Sequence, residues 1–455
     1  MNNNQRVLFG TDGVRDVANL PSGNMTADFA LNLGRAFVLF LQRKKKFKNI
    51  KIAVGLDTRK SGAMLECALK AGMLSAGADV YSLGVIPTPG VSFAIKELCA
   101  SAGAVISASH NPAEYNGIKF LDAQGCKLSD QDELEIEQIY FNLNNFNNNH
   151  DLVGQDYFMP QIATSYAAHL ARILNAKLNL KIAFDCANGA AAAIIPELAK
   201  LADINAVITG ASPDGLNINK GSGVMCMDNL INFIKSTKAD IGFAFDGDAD
   251  RVLIADAQGR IIDGDIILWT LAKWLKSKDL LNAGLVVTVM SSMAIEEHLQ
   301  REDIKVYRCP VGDRYVLDTM RKTGAGLGGE QSGHIIADAF TSTGDGACTA
   351  MLFLNAVSDL NLNINNLIDN FGRYPQKLSN IKLSSRELLN QNLDAINKIA
   401  DEADAEIKAV SNNQARVFIR PSGTEPLLRI LVEAKDLSLV NEFSDRLILK
   451  LQKLI

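Results

Sequence analysis

Ile50-Lys51-Ile52-Ala53-Val54-Gly55-Leu56-Asp57-Thr58-Arg59 is an apolar run that empties into a polar turn. The run has the length and β-branched content of a buried strand. Residues 62–76 follow with helical periodicity, and residues 78–84 form a second apolar run. The same order returns at residues 180–184, with Asp185-Cys186-Ala187-Asn188-Gly189 as the turn, a helix to about Leu201 and a strand at 205–209. A third version starts at residues 285–289, turns through Met290-Ser291-Ser292, and continues with a helix to Gln300 and a strand at 305–309. Three strand–helix–strand units with near-continuous apolar strands predict three related mixed α/β domains, their sheets covered by helices.

The chain has 455 residues, too long for one compact core. An asparagine-rich stretch at 142–150 marks the end of the first domain, and Arg373-Tyr374-Pro375 the exit from the third. Beyond it come a strand near 381–383, a helix over about 386–402, a strand pair at 415–419 and 428–433, and a last helix over 437–451, the pattern of a smaller α+β domain. The expected boundaries are 1–155, 156–257, 258–372 and 373–455.

Composition narrows the function classes. The formal net charge is −5, and the one basic run, residues 43–48, is a short connection, so nucleic acid is not an expected partner. Seven scattered cysteines without CxxC spacing point to reduced thiols rather than zinc or disulfides. Residues 1–6 carry no apolar signal core, and no apolar run approaches the length of a membrane span. A cytoplasmic protein with no membrane partner is expected.

Four stretches carry chemistry. Residues 103–106 read as a buried strand ending at Ser107-Ala108-Ser109-His110-Asn111-Pro112, which is either an ordinary turn or a loop that presents a nucleophile beside an imidazole. Residues 241–245 lead into Asp246-Gly247-Asp248-Ala249-Asp250-Arg251. Three carboxylates at alternate positions repel one another unless a hard cation, Mg²⁺ or Ca²⁺, neutralises them; the alternative is a solvated acidic turn, and a magnesium site is the expectation. An EF-hand fails, because Arg251 and Ala257 stand where its Gly and Glu belong. Gly328-Gly329-Glu330-Gln331-Ser332-Gly333-His334 collects groups that match sugar hydroxyls. Arg420-Pro421-Ser422-Gly423-Thr424-Glu425-Pro426 offers a guanidinium, hydroxyls and an amide to a phosphate, or merely turns a hairpin.

In this order the four stretches resemble the signatures of the α-D-phosphohexomutase superfamily. Gly10-Thr11-Asp12-Gly13-Val14-Arg15, Gln331, Asp214-Gly215-Leu216-Asn217-Ile218-Asn219 and Gly312-Asp313-Arg314-Tyr315-Val316 resemble its phosphoglucosamine mutase branch. The resemblance implies four domains around one central cleft. It implies Ser109 as a phosphorylated nucleophile, with Asp246, Asp248, Asp250 and the phosphoserine holding one Mg²⁺ per chain. Glu330 and Ser332 would contact the sugar, and Arg420, Ser422, Gly423 and Thr424 would grip the phosphate that is not transferred. Lys119 or His334 would move the proton, His110 would stand beside the nucleophile, and Arg15 and Arg251 would stabilise charge.

The implied reaction interconverts glucosamine 6-phosphate and glucosamine 1-phosphate through a bound 1,6-bisphosphate, for amino-sugar nucleotide and cell-envelope precursor synthesis. A hexose 1,6-bisphosphate would be the activating phosphate donor. The expected partners are a small-molecule sugar phosphate and, at most, a second copy of the chain in a homodimer. Rival expectations are a phosphomannomutase or phosphoglucomutase, a phosphatase, and a non-catalytic sugar-phosphate sensor.

Overall fold

In the computed structural model, residues 6–10, 12–44, 49–143, 150–177, 179–382, 392–421 and 427–454 are described. The chain divides into two compact units, residues 1–290 with 304–367, and residues 291–303 with 368–455.

The first unit contains three sheets. The first has six strands in the order Val14–Val17, Tyr115–Leu121, Ala102–Ile106, Lys51–Leu56, Asp79–Val85 and Asp156–Phe158. Its last four strands are parallel, and Tyr115–Leu121 runs antiparallel to both of its neighbours. The alternation along Lys51–Leu56 explains the apolar run. Ile52, Val54 and Leu56 join the core built on Phe37 and Phe120, whereas Ala53 joins the opposite one with Val91 and Ile95. A strand buried on both faces has no polar side to show.

The apolar run Val7-Leu8-Phe9 predicts a short strand that breaks into the glycine-bracketed loop after it, and the structure departs from that expectation. Residues 7–9 are apolar but form no strand, and the first strand begins at Val14. The amides of Val7, Leu8 and Phe9 donate instead to the Glu137 carboxylate at 2.7–3.1 Å, which satisfies them without a ladder.

The second sheet orders Ile261–Ile262, Val252–Asp256, Ile241–Phe245, Ile182–Asp185 and Ala206–Thr209. The third orders Val306–Cys309, Leu285–Thr288, Leu327–Gly329 and Ile335–Ala337. In both, a parallel set carries antiparallel strands at one edge. Antiparallel edges recur in all three sheets, so the expected mixed α/β class holds.

The second unit is a three-stranded antiparallel sheet, Gln376–Lys382, Leu427–Ala434 and Ala415–Pro421, with the helices Leu393–Val410 and Leu437–Gln452. Its core combines Ile430 and Val432 with Ile396, Ile407, Phe443 and Leu447. The helix Ala294–Arg301, expected as the crossover of the third repeat, belongs to this unit. There His298 Nε2 donates to the Phe371 carbonyl at 2.7 Å, and the Ser292 hydroxyl donates to Glu433 at 2.7 Å. Parts of several expected features lie outside the described residues, among them the basic run at 45–48, the asparagine-rich stretch at 144–149, the end of the strand placed at 381–383 and the start of the helix placed at 386–402.

Candidate active site

The nucleophile loop leaves the strand Ala102–Ile106 in a sharply specified turn. Ser109 has φ +50°, a left-handed conformation that a serine adopts only when its surroundings hold it there. Arg59 is the clamp. Its guanidinium donates to the carbonyls of Ser109, Asn111 and Tyr115 at 2.8–2.9 Å and also to that of Pro112. The Asn219 side-chain amide donates to the carbonyls of Ser109 and Asn111 at 2.8 and 3.1 Å. Arg59 is in turn paired with Asp57 at 2.9 Å, and both side chains are fully buried. Ser107 donates its hydroxyl to Asp57 at 2.6 Å and accepts the Ser109 amide at 2.9 Å, so it supports the turn.

The acidic loop leaves the strand Ile241–Phe245. Gly247 lets it approach the nucleophile, because a Cβ there would lie 2.5 Å from the Ser109 carbonyl oxygen. Asp246, Asp248 and Asp250 are 0, 1 and 3 % exposed, and one ligand atom from each falls within 4.8 Å of the others. Ser109 Oγ donates to Asp246 at 2.7 Å. Asp248 accepts from the Thr88 hydroxyl at 2.5 Å and from Lys119 Nζ at 2.7 Å.

One oxygen each of Asp248 and Asp250 is buried with no hydrogen-bond partner among the described residues. Burial, then the charges of Asp250 and Asp248, push the Asp246 carboxyl well above the usual carboxylate range. Unpaired, converging, buried carboxylate oxygens are the donor set of a hard divalent cation, so these residues fit one. The loop holds a metal-ligand arrangement rather than a solvated turn.

Cations surround the triad. Lys119 is 2 % exposed and also pairs with Asp12 at 3.3 Å. Burial opposes its charge, but Asp12, Asp248 and Asp250 outweigh that and hold its proton more tightly than in a free lysine. Arg15 pairs with Asp12, and Arg251 Nε lies 3.9 Å from Asp250. His110 Nδ1 is 3.3 Å from Ser109 Oγ. Burial first, then the charges of Arg251 and Arg15, lower its pKa to about 4, so the ring is neutral at pH 7.

The glycine-rich stretch joins the strand that follows the acidic loop through a backbone bond from Val252 N to the Gly333 carbonyl at 3.1 Å, and further along the chain Gly346 N donates to the Ala249 carbonyl at 3.0 Å. His334 is 2 % exposed, and its Nε2 lies 3.9 Å from Asp250 and 3.6 Å from Asp313. Its ring packs where residue 344 must be glycine, since a Cβ there would lie 2.2 Å from Nε2. Glu330 accepts the Gly312 amide at 3.1 Å, and Ser332 is exposed.

The structure therefore brings Ser109, His110, Lys119, Arg15, the three aspartates, Arg251 and His334 together in the first unit. Arg420 lies in the second unit, on the strand Ala415–Pro421. The expected phosphate-gripping residues Ser422, Gly423 and Thr424 lie outside the described residues.

Comparison with known proteins decides the family. Four models of phosphoglucomutase/phosphomannomutase domains match in series: α/β/α domains I, II and III at residues 6–146, 164–259 and 263–374, and the C-terminal domain at 378–450. A phosphoglucosamine mutase of Halalkalibacterium halodurans is 43% identical over 96% of this chain and 97% of its own length. One of Bacillus subtilis is 40% identical over 97% of both.

The chain belongs to the phosphohexomutase superfamily.

This phosphohexomutase is an intramolecular phosphotransferase of the isomerase class. A solved phosphoglucomutase/phosphomannomutase family protein from Burkholderia thailandensis shares its fold with a TM-score of 0.83 at 25% identity, covering 98% of this chain and 97% of that one. An Aspergillus fumigatus N-acetylphosphoglucosamine mutase, solved with GlcNAc-6P and magnesium, matches at TM-score 0.66 and 16% identity over 99% of this chain and 96% of its own. The superfamily's three α/β domains and C-terminal domain are all present.

Sequence reasoning missed several residues of the phosphohexomutase site. Arg59 and Asp57 read only as a polar turn. Their signal was a charge pair directly after an apolar strand, where a buried arginine needs many acceptors. Thr88 gave no signal, and Asn219 stood out only as part of the stretch 214–219, without a role in the site. Lys127 bridges Asp12 and Asp313, and these three link Lys119 to His334 across stretches far apart in the chain.

Proposed function

We propose that this phosphohexomutase interconverts glucosamine 6-phosphate and glucosamine 1-phosphate through a phosphoserine at Ser109 and a glucosamine 1,6-bisphosphate intermediate. The observation that carries the reading is the Ser109 hydroxyl held 2.7 Å from Asp246, within a buried set of carboxylates built for a cation. The near-full-length likeness to proteins named phosphoglucosamine mutase supports the choice of sugar.

Asp246, Asp248 and Asp250, with an oxygen of the phosphoserine, would hold one Mg²⁺. Bound there, the ion would act as a Lewis acid on phosphoryl oxygens. The chain's own residues do the rest. His334, buried beside Asp250 and Asp313, takes the proton from the sugar's 1-hydroxyl. That oxygen bonds to the phosphorus as the bond to Ser109 Oγ breaks.

The bisphosphate then turns over. Its 6-phosphate returns to Ser109 Oγ, and the 6-oxygen leaves carrying the proton from His334. Lys119 is better suited to a fixed positive charge than to a base, because the carboxylates around it hold its proton. Arg15 and Arg251 add positive charge, and neutral His110 donates from Nδ1 to the hydroxyl oxygen of unphosphorylated Ser109, whose proton goes to Asp246. Glu330 and Ser332 contact the sugar. Arg420, with Ser422, Gly423 and Thr424, holds the phosphate that is not transferred.

A hexose 1,6-bisphosphate primes Ser109. The cytoplasm is the proposed setting, with amino-sugar nucleotide synthesis as the purpose and with neither nucleic acid nor membrane as partner. No helix among the described residues is long and apolar enough to cross a membrane. A homodimer is the proposed assembly, and exposed Val153 and Phe158, at 62 and 71 %, are apolar surface for it.

Measuring kcat/KM on glucosamine, mannose and glucose 6-phosphates tests the reading. Glucosamine 6-phosphate should be the best substrate, and equal or better use of mannose 6-phosphate would overturn the choice.

A further inference from the structure

Glucosamine 6-phosphate differs from glucose 6-phosphate only in the group at C2. Glucosamine carries an amine that is protonated near neutral pH, as aliphatic amino groups are. A site that prefers it needs a carboxylate near C2 that does not already belong to the metal. Hydrogen bonds between ionised groups are about twice as strong as neutral ones.

Three carboxylates line a cavity of about 270 Å³ next to His334, namely Asp130, Asp313 and Asp318. Asp130 is paired with Arg6 and Arg314, and its side chain is 55 % exposed, so water competes with any ligand. Asp318 stands about a turn and a half further along the helix Asp313–Thr323 than Asp313. Asp313 differs. It is the first residue of that helix, its side chain is 12 % exposed, and it lies 3.6 Å from His334 Nε2.

The turn that presents Asp313 is tied to the sugar loop, because Glu330 accepts the amide of Gly312. Asp313 accepts from its neighbour Arg314 N at 2.8 Å through Oδ1 and from Lys127 through Oδ2. A carboxylate offers about four acceptor sites, so capacity remains. Lys127 is shared with Asp12, and its charge is therefore divided between two carboxylates.

We propose that Asp313 is the residue that reads the 2-ammonium group, making this enzyme selective for 2-amino sugar phosphates over their 2-hydroxy counterparts. This rests on the function proposed above and names the specificity device within that site. It also gives a purpose to Gly312-Asp313-Arg314-Tyr315-Val316, which the phosphoryl chemistry leaves unused.

The test compares kcat/KM for glucosamine 6-phosphate and glucose 6-phosphate in the full-length enzyme. In Asp313→Asn both substrates should share any loss that comes through His334, and glucosamine 6-phosphate should lose more, so that the ratio falls about tenfold, while Asp313→Glu should keep the preference. Equal losses on both substrates, or an unchanged ratio, would overturn the assignment.

The parent enzyme supplies a second readout that does not depend on any variant folding. Its preference for glucosamine should decline as the substrate amine loses its proton, between about pH 7 and pH 9. Because His334, Lys127 and, through Lys127, Asp12 also face Asp313, the midpoint of the decline should match the pKa of the free substrate amine. A ratio flat across that range would also overturn the assignment. If the parent enzyme prefers mannose 6-phosphate, the proposed function fails instead, whatever Asp313 does.

Discussion

The two loops that meet at Ser109 are built on opposite principles. The loop from Ser107 to Pro112 is satisfied by the protein itself: Arg59 and Asn219 take its carbonyls, and Asp57 anchors Ser107. The loop from Asp246 to Arg251 is the reverse, three buried carboxylates with oxygens on Asp248 and Asp250 left without a hydrogen bond among the described residues. A nucleophile must be in place before substrate arrives, so its loop is fully paired in advance. A metal site has to keep acceptors unpaired and repelling, because the ion is what completes it. The difference separates what folding alone can hold from what a ligand must finish.

The largest effect should come from breaking the incomplete loop. In Asp248→Ala, kcat should fall by roughly a thousandfold or more, and millimolar Mg²⁺ should no longer raise the melting temperature as it does in the parent protein. A variant still stabilised by Mg²⁺ would move the metal elsewhere.

The self-sufficient loop should fail differently, through the fold. Arg59→Met takes the guanidinium from buried Asp57 and from four carbonyls, of which only those of Ser109 and Asn111 keep the Asn219 amide, and should cost about 3–5 kcal/mol in denaturant unfolding, with or without metal. Arg59→Lys should recover little, since an ammonium cannot reach the same carbonyls as a planar fork. A destabilisation that Mg²⁺ erases would mean the two loops are not independent.

The contrast also predicts a pH dependence. Burial and its two like-charged neighbours raise the Asp246 pKa, so the metal-free triad retains a proton in acid that the ion must displace. Affinity for Mg²⁺ should therefore rise with pH on the acid side of neutrality, with proton release seen by calorimetry in buffers of different ionisation enthalpy. This is the smallest of the effects, and metal affinity independent of pH would contradict it.

How much of this was legible follows from where the signals lie. Local patterns carried the strands and the acidic triad, because alternating carboxylates after an apolar run conflict with burial in any context. Lys51–Leu56 read correctly because burial on both faces leaves an unbroken apolar run. Residues 7–9 misled for the complementary reason: they are apolar, but Glu137, far along the chain, takes their amides. Arg59 and Asn219 were illegible as site residues because their meaning is a set of carbonyls, which every residue type has. The relay from Lys119 through Asp12, Lys127 and Asp313 to His334 exists only in three dimensions, and no spacing announces it.

The central claim is that Ser109 itself carries the phosphoryl group. Intact-mass spectrometry before and after incubation with glucose 1,6-bisphosphate tests it most directly. The parent enzyme should carry a single phosphate after incubation, mapped to Ser109, and Ser109→Ala should carry none and lose mutase activity. A phosphate on another residue, or a Ser109→Ala enzyme that still interconverts the two sugar phosphates, would contradict the account.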